Sequence, residues 1–243
     1  MERNIVRLKR VDSTNNEAAR IIAHEGRGEG FYVITDYQEY GRGQADHGWV
    51  SEPGKNLLLS KVVFPAFLSV SDQFLLSKAV SLSIRDLLND FSISALIKWP
   101  NDILTSSGKI AGILIENSLT GRQISHSIVG VGLNVLQKKF PVFPHPATSM
   151  ALETGWEPVL STVEAALFVH IEKRYNQLEK GESDPLSREY LEALYRLNED
   201  SFFSDGKHEF RGMITGVNRF GELEIKTGQG IHSYGFHQVR MIH

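Results

Sequence analysis

The chain contains no cysteine, and this absence excludes three kinds of chemistry. Without a thiol among its 243 residues, the protein has no disulfide framework, no cysteine-based zinc site and no thiol nucleophile. A basic excess is also missing, since 26 Lys and Arg stand against 29 Asp and Glu, a formal net charge of −3. A nucleic-acid-binding surface usually shows such an excess, so the overall charge does not indicate one.

Long apolar runs are missing as well. The longest uncharged apolar stretch, residues 62–71, contains Pro65 and is about half as long as a membrane-spanning helix. Residues 1–4 do not begin an apolar secretory signal. We therefore expect a cytoplasmic protein that does not enter a membrane. The composition, 41% apolar and 23% charged, is typical of a globular protein.

The order of hydrophobic patterns predicts an α+β fold. Predicted strands cover residues 5–8, 31–35, 57–63, 96–99, 110–115 and 127–133. Predicted helices begin at a capping box on Thr14, span 71–90 and 162–180, and run from an Asp184 cap to 197. After Asn198, short alternating segments separated by glycines are typical of a small all-β module. We place the domain boundary there, giving domains 1–197 and 198–243.

Two polar segments are candidates for binding a ligand. Ser13-Thr14-Asn15 lies at a strand-to-helix junction and offers donors and acceptors for a small polar head group; its other interpretation is a simple helix cap. In the segment 38–49, glycines allow backbone amides to approach an anion and Arg42 adds a bidentate donor. Trp49 could close the site against a flat ligand, whereas the alternative is a flexible loop.

Two further segments place charge at the ends of apolar strands. In Lys98-Trp99-Pro100-Asn101-Asp102, the Pro-Asn-Asp string would form a turn in any case. Lys98 and Asp102, however, flank an aromatic residue at a strand end, where α/β enzymes tend to keep their chemistry. Lys109 opens the apolar segment 109–116. It either extends its stem along a sheet edge or fixes a cation against a reacting phosphate, with Gly112 admitting a ligand to the strand surface.

Together and in this order, these segments resemble the biotin protein ligases, also called biotin–[acetyl-CoA-carboxylase] ligases. The resemblance continues through Gly130-Val131-Gly132-Leu133-Asn134-Val135 and Ala147-Thr148-Ser149. It implies a mixed β-sheet with helices, related to lipoate ligases and class II aminoacyl-tRNA synthetases, followed by a small β-barrel. The implied reaction joins biotin to ATP, giving biotinyl-5′-adenylate. The biotinyl group then passes to one lysine of a biotin carboxyl carrier protein, and a homodimer is common in such enzymes.

The resemblance also implies a role for each matching residue. Biotin would be bound by Ser13, Thr14, Asn15, Gln38, Gly41, Arg42, Gly43, Lys109, Gly112 and Leu114. The nucleotide would be bound by Arg42, Trp49, Asn101, Asp102, Lys109 and Asn134. The implied catalytic residues are Lys109, Arg42 and Asp102, with Asp102 also facing magnesium. These assignments agree with elementary electrostatics, because Arg42, Lys109 and magnesium could screen a carboxylate attacking an α-phosphate.

The chain departs from the family pattern at two places. Family members commonly have two further arginines and a glycine where this chain has Gln44, Asp46 and His47, so we predict a loop that closes less tightly over the adenylate. Bifunctional members carry a DNA-binding head before the Ser-Thr-Asn segment, and only twelve residues precede Ser13. We therefore expect no DNA partner and no repressor role. Two alternatives remain open: a lipoate- or octanoyl-protein ligase of the same fold, and a non-catalytic biotin sensor.

Overall fold

The protein folds into two β-sheets with helices on both faces of the larger one. The structure, a computed structural model, describes residues 4–26, 28–44, 48–121, 123–143 and 145–242. Its seven-stranded mixed sheet and five-stranded antiparallel sheet confirm the predicted α+β class. Asp46 and His47, two of the unusual loop residues, lie outside the described ranges.

The helices and strands follow one another along the chain as follows. The helices are α1 (Thr14–Glu25), α2 (Phe74–Asp90), α3 (Met150–Thr154), α4 (Leu160–Glu179) and α5 (Ser183–Glu192). The strands of the larger sheet are β1 (Ile5–Leu8), β2 (Phe31–Thr35), β3 (Asn56–Val63), β4 (Leu96–Lys98), β5 (Asp102–Leu104), β6 (Lys109–Thr120) and β7 (Gln123–Asn134). Those of the smaller sheet are β8 (Asp200–Ser204), β9 (Glu209–Val217), β10 (Leu223–Thr227), β11 (Gly230–Tyr234) and β12 (Arg240–Ile242).

The larger sheet has the order β1-β2-β3-β7-β6-β5-β4, and both of its faces are covered. One face packs against α2 and α4 in the main core, which includes Tyr32 and Ile34. The other packs against α1 through a second cluster that includes Phe31 and Val33. Alternate residues of β2 therefore point to opposite cores, which explains why every residue of β2 and β3 is buried.

Several predicted boundaries are wrong, and each error has a local cause. The capping box is wrong because Ser13 is the N-cap of α1 and makes no side-chain cap hydrogen bond. Helix α5 has Glu182 as its N-cap. It ends before 197 because the chain then pairs with β4, where the amide of Tyr195 donates to the carbonyl of Ile97 at 2.8 Å. Strands β6 and β7 extend beyond their predicted apolar parts as a long hairpin, and β5 and α3 were not predicted because both are short.

The smaller sheet, ordered β11-β10-β9-β8-β12, confirms the predicted all-β module. Among the described residues no pairing joins β11 to β12, so the strands do not close into the expected barrel. The module packs on the rest of the chain, since Trp99 Nε1 donates to the carbonyl of Gly221 at 2.8 Å and Phe74 contacts the ring of Phe236. The division at 197 stays a prediction.

No helix in the described ranges combines the length and apolar character needed to cross a membrane.

The hydrogen bond from Trp99 to Gly221 leads to a stability prediction. Trp99→Phe removes the donor but keeps an aromatic ring, so we expect the free energy of unfolding to fall by about 1 kcal/mol. Urea denaturation followed by circular dichroism measures this. Trp156→Phe is the control, because Trp156 is 53% exposed and surface changes usually cost less than about 0.5 kcal/mol. Equal stability of both variants would contradict the prediction.

Candidate active site

A cavity of about 1220 Å³ lies beside α1 on the larger sheet. It is bordered by the start of α1, the loop before β3, strands β5 to β7, and residues of the C-terminal module. Apart from Gly41, every residue that the sequence predicts for the site lines this cavity. The structure thus brings together four segments that are far apart in sequence, although their individual roles stay predictions.

The register of the strands explains how these segments meet. Lys98 pairs with Asp102, Asp102 with Gly112, and Gly112 with Gly132, so these four positions form one row across the sheet. A second row joins Leu114, Gly130 and Ser60. The two rows lie two residues apart, roughly 7 Å, on the face that carries α1. One row carries charge and the other carries a buried hydroxyl.

Buried polar side chains at the start of α1 form a hydrogen-bonded group above the second row. Gln38 Oε1 accepts from Thr14 N at 2.8 Å and Thr14 Oγ1 at 3.1 Å. Ser60 Oγ lies 2.7 Å from Thr14 Oγ1 and 2.6 Å from Asn15 Oδ1. Ser13, Thr14 and Asn15 are each at most 3% exposed. The Thr14 side chain therefore takes part in this network and does not cap the helix.

The glycines of β6 and β7 leave room for other side chains on this face. A Cβ on Gly130 would overlap Asn15 Oδ1. A Cβ on Gly132 would lie 2.5 Å from the indole of Trp49, and one on Gly112 would lie 3.0 Å from it. The space beside these glycines is therefore occupied by side chains of the protein itself, those of Asn15 and Trp49.

Gly41 and Arg42 lie beside Gly48 and Trp49. The amide of Trp49 donates to the carbonyl of Gly41 at 2.8 Å, and Arg42 forms a β-bridge with Gly48. The Trp49 ring also faces Lys109, whose Nζ lies 5.6 Å from the ring centroid. The Trp49 ring thus covers Gly112 and Gly132, next to the charged end of the cavity.

The charged end of the cavity has two lysines around one carboxylate, Lys98 within the first row and Lys109 beside it. Lys109 Nζ lies 2.6 Å from Asp102 Oδ1, and Lys98 is the strand partner of Asp102. Burial lowers the pKa of Lys98; Asp102 opposes this shift and Lys109 adds to it. Because β6 lies inside the sheet, the interpretation of Lys109 as a sheet-edge lysine is wrong.

Two asparagines of the site are held by backbone carbonyls. Asn101 Nδ2 donates to the carbonyl of Ile113, and Asn134 Nδ2 to that of Thr148, each at 2.9 Å. Asn134 Oδ1 is buried and has no hydrogen-bond partner among the described residues. A buried polar atom is normally satisfied, and Asn134 also lines the cavity.

Arg42 is not a free cation in this structure. Its guanidinium forms a two-pronged pair with Glu116, with Nη2 2.8 Å from Oε1 and Nη1 3.3 Å from Oε2. Nη1 also donates to Asn16 Oδ1 at 2.8 Å. Both cations expected to screen the reacting anions are thus ion-paired, and Lys109 is the one that lies against Gly112, with its Nζ 3.3 Å from a Cβ built there.

The sequence did not indicate several residues at the site. Ser60 is fully buried, and its only signal was a hydroxyl within an apolar strand. Tyr195, His237 and Arg240 line the cavity from the far end of the chain, where no motif marked them. Only the packing of the C-terminal module brings the last two to this wall.

A magnesium ion is compatible with the donors at the charged row. The described residues contain no cluster of three or more His, Asp or Glu able to hold a metal. Magnesium in nucleotide sites, however, commonly takes one or two carboxylates together with substrate phosphates and water. Asp102 supplies one carboxylate on the cavity wall beside Asn101, which fits that kind of site.

Comparison with known proteins places the chain in a family. The model of the biotin/lipoate A/B protein ligase family matches residues 8–134, and the chain belongs to this family. The predicted resemblance is confirmed.

The relatives include ligases of two kinds. A biotin–[acetyl-CoA-carboxylase] ligase of Paracoccus denitrificans is 29% identical over 92% of this chain and 94% of that protein. The bifunctional ligase/repressor BirA of Bacillus subtilis is 27% identical over 90% of this chain and 68% of that protein. A structure of the biotin protein ligase from Aquifex aeolicus in complex with biotin and ATP has a TM-score of 0.83 at 23% identity, covering 99% of both chains. That likeness shows a common fold.

Proposed function

We propose that this chain activates biotin with ATP and transfers the biotinyl group to a lysine of a biotin carboxyl carrier protein. The observation that carries the proposal is the single cavity that joins the buried Thr14–Gln38 group to the Lys109–Asp102 pair. A small polar head group and a reacting phosphate need these two environments. Family membership and the biotin–[acetyl-CoA-carboxylase] ligase among the relatives support biotin as the substrate.

In this proposal the buried polar group at the start of α1 binds the head group of biotin. Thr14 and Gln38 provide hydroxyl and amide groups that are already oriented by hydrogen bonds, and Ser13 adds a buried hydroxyl beside them. A preorganised polar pocket loses little entropy when a ligand binds. Leu114 lines the path toward the charged row, as expected for the apolar chain of biotin.

The residues at the charged end of the cavity would activate biotin. The carboxylate of biotin attacks the α-phosphorus of ATP, and pyrophosphate leaves. Lys109 places a positive charge where the two anions meet. Asp102 would hold a magnesium ion, which supplies Lewis-acid charge to the phosphate oxygens when bound. Asn101 and Asn134 would lie toward the nucleotide.

The second step transfers the biotinyl group. The neutral amine of the acceptor lysine attacks the carbonyl carbon of the mixed anhydride, AMP leaves, and one proton is released. Asp102 is the carboxylate on the cavity wall that could accept this proton. Trp49 and the loop that precedes it would exclude water from the reactive adenylate.

Incubation of the purified chain with biotin, ATP, magnesium and a carrier domain tests the proposal. We expect a mass increase of one biotinyl group on the carrier, and none on a carrier whose acceptor lysine is replaced by arginine. A lipoyl domain with lipoate should stay unmodified. Biotin-dependent exchange of pyrophosphate into ATP, measured without an acceptor, distinguishes an enzyme from a sensor. Modification of the lipoyl domain alone, or the absence of exchange, would overturn the proposal.

The family model covers lipoate as well as biotin ligases, so the lipoate alternative is retained for this test. A homodimer, a cytoplasmic location and the absence of a repressor role also stay predictions from the sequence.

A further inference from the structure

Glu116 lies on β6 just beyond the residues that line the cavity. Its carboxylate accepts hydrogen bonds from two sides of the site. Asn15 Nδ2 donates to Oε2 at 2.7 Å, and Arg42 donates to both oxygens. One carboxylate therefore links the first turn of α1 to the glycine-containing loop.

The first contact fixes the orientation of the Asn15 amide. A carboxylate can only accept, and the neighbouring carbonyl of Leu114 also accepts from Asn15 Nδ2 at 3.3 Å. The amide nitrogen must therefore point toward Glu116, and Oδ1 must point toward Ser60 Oγ, 2.6 Å away. Glu116 thus helps determine the direction of the hydrogen bonds at the polar end of the cavity.

The second contact fixes the start of the loop. Arg42 is held by Glu116 on the sheet and by Asn16 on α1. The next residues, Gly43 and Gln44, line the cavity. Because both Nη1 and Nη2 are hydrogen-bonded to the protein, the side chain of Arg42 acts as an anchor that sets where those residues lie.

We propose that Glu116 is a positioning residue for biotin, and that the side chain of Arg42 acts through Glu116 rather than by screening the reacting phosphate. This inference rests on the proposed biotin ligase function. It extends that function by giving the Arg42 guanidinium an indirect, positioning role in biotin binding and by adding a residue outside the cavity wall.

A double-mutant cycle on full-length protein tests the inference. We expect Glu116→Ala to weaken biotin binding about tenfold, as for the loss of hydrogen bonds to a charged group, with a smaller loss in Glu116→Gln, which keeps an acceptor for Asn15. Arg42→Ala combined with Glu116→Ala should weaken binding no more than the stronger single variant does. Titration calorimetry with biotin alone measures the affinity, and pyrophosphate exchange gives the KM for ATP, expected to change less than about threefold.

The matched control is Asp200→Ala, which breaks another exposed arginine–carboxylate pair, Arg211 with Asp200 at 2.8 Å, away from the cavity. It should leave biotin affinity unchanged. If Glu116→Ala does not fold, Glu116→Gln and Arg42→Ala form the same cycle. Unchanged biotin affinity, or losses that multiply in the double variant, would overturn the inference. Failure of the proposed function is distinct, because the wild-type chain itself would then show no biotin-dependent exchange.

Discussion

Lys109→Ala is expected to lower biotin-dependent pyrophosphate exchange by on the order of a thousandfold, the upper range for removal of one preorganised charge-stabilising group. Lys109 Nζ lies 2.6 Å from Asp102 and faces the row of glycines. Its removal takes away the cation and leaves Asp102 with less compensation, so two anionic substrates would meet a negative group. Exchange of labelled pyrophosphate at saturating biotin and ATP measures the effect.

Two comparisons test whether the expected effect is specific to Lys109 and to the reaction with the phosphate. Lys138→Ala removes another ion-paired lysine, Lys138 with Glu157 at 2.8 Å, outside the cavity lining, and should leave the exchange rate unchanged. Biotin affinity measured without ATP should fall far less than exchange, because the charge is needed where the phosphate reacts. Undiminished exchange in Lys109→Ala would show that the residue has another role.

The charged part of the site was predictable because its residues break the local pattern. Lys109 begins an apolar strand, and Asn101 and Asp102 follow another strand. The structure places these residues on one cavity wall. A charged side chain that costs free energy to bury is conspicuous in sequence.

The pairing of Arg42 with Glu116 could not be predicted in the same way. The two residues are 74 positions apart, and each alone is an ordinary surface charge. Their contact depends on the register that places Glu116 opposite Ile128 on the α1 face. His237 and Arg240 depend on the packing of the C-terminal module in the same manner. Sequence patterns report local preference, whereas these contacts depend on tertiary geometry.

The same contrast between local sequence patterns and tertiary contacts holds for the helices and strands. The apolar centre of β7 was predicted, but residues 123–126 were not, because only Ile124 among them is buried and the segment lacks an apolar run. Thr14 was predicted to cap α1 from its spacing to Glu17, yet its hydroxyl bonds Gln38. Local capping rules were overridden where the side chain takes part in the buried network.

Gly130→Ala is expected to weaken biotin binding by on the order of a hundredfold, since losing a hydrogen bond to a charged group costs about 1.5–3 kcal/mol. The added Cβ would overlap Asn15 Oδ1. Asn15 is held by Ser60 and Glu116, so it can move only by breaking these bonds and shifting the start of α1. Titration calorimetry with biotin measures the loss, while the KM for ATP should change little.

The cause of that loss can be isolated with two further variants. Gly228→Ala is the matched control, because a Cβ there has nothing within 4 Å, and its biotin affinity should equal that of the wild type. Asn15→Ala removes the overlapping amide, so adding Gly130→Ala to it should cost little more. If the two substitutions instead multiply their effects, the collision with Asn15 is not the reason that glycine is needed at position 130. Wild-type affinity in Gly130→Ala would mean that Asn15 can move without disturbing the pocket, which would contradict a rigid polar network at the biotin head group.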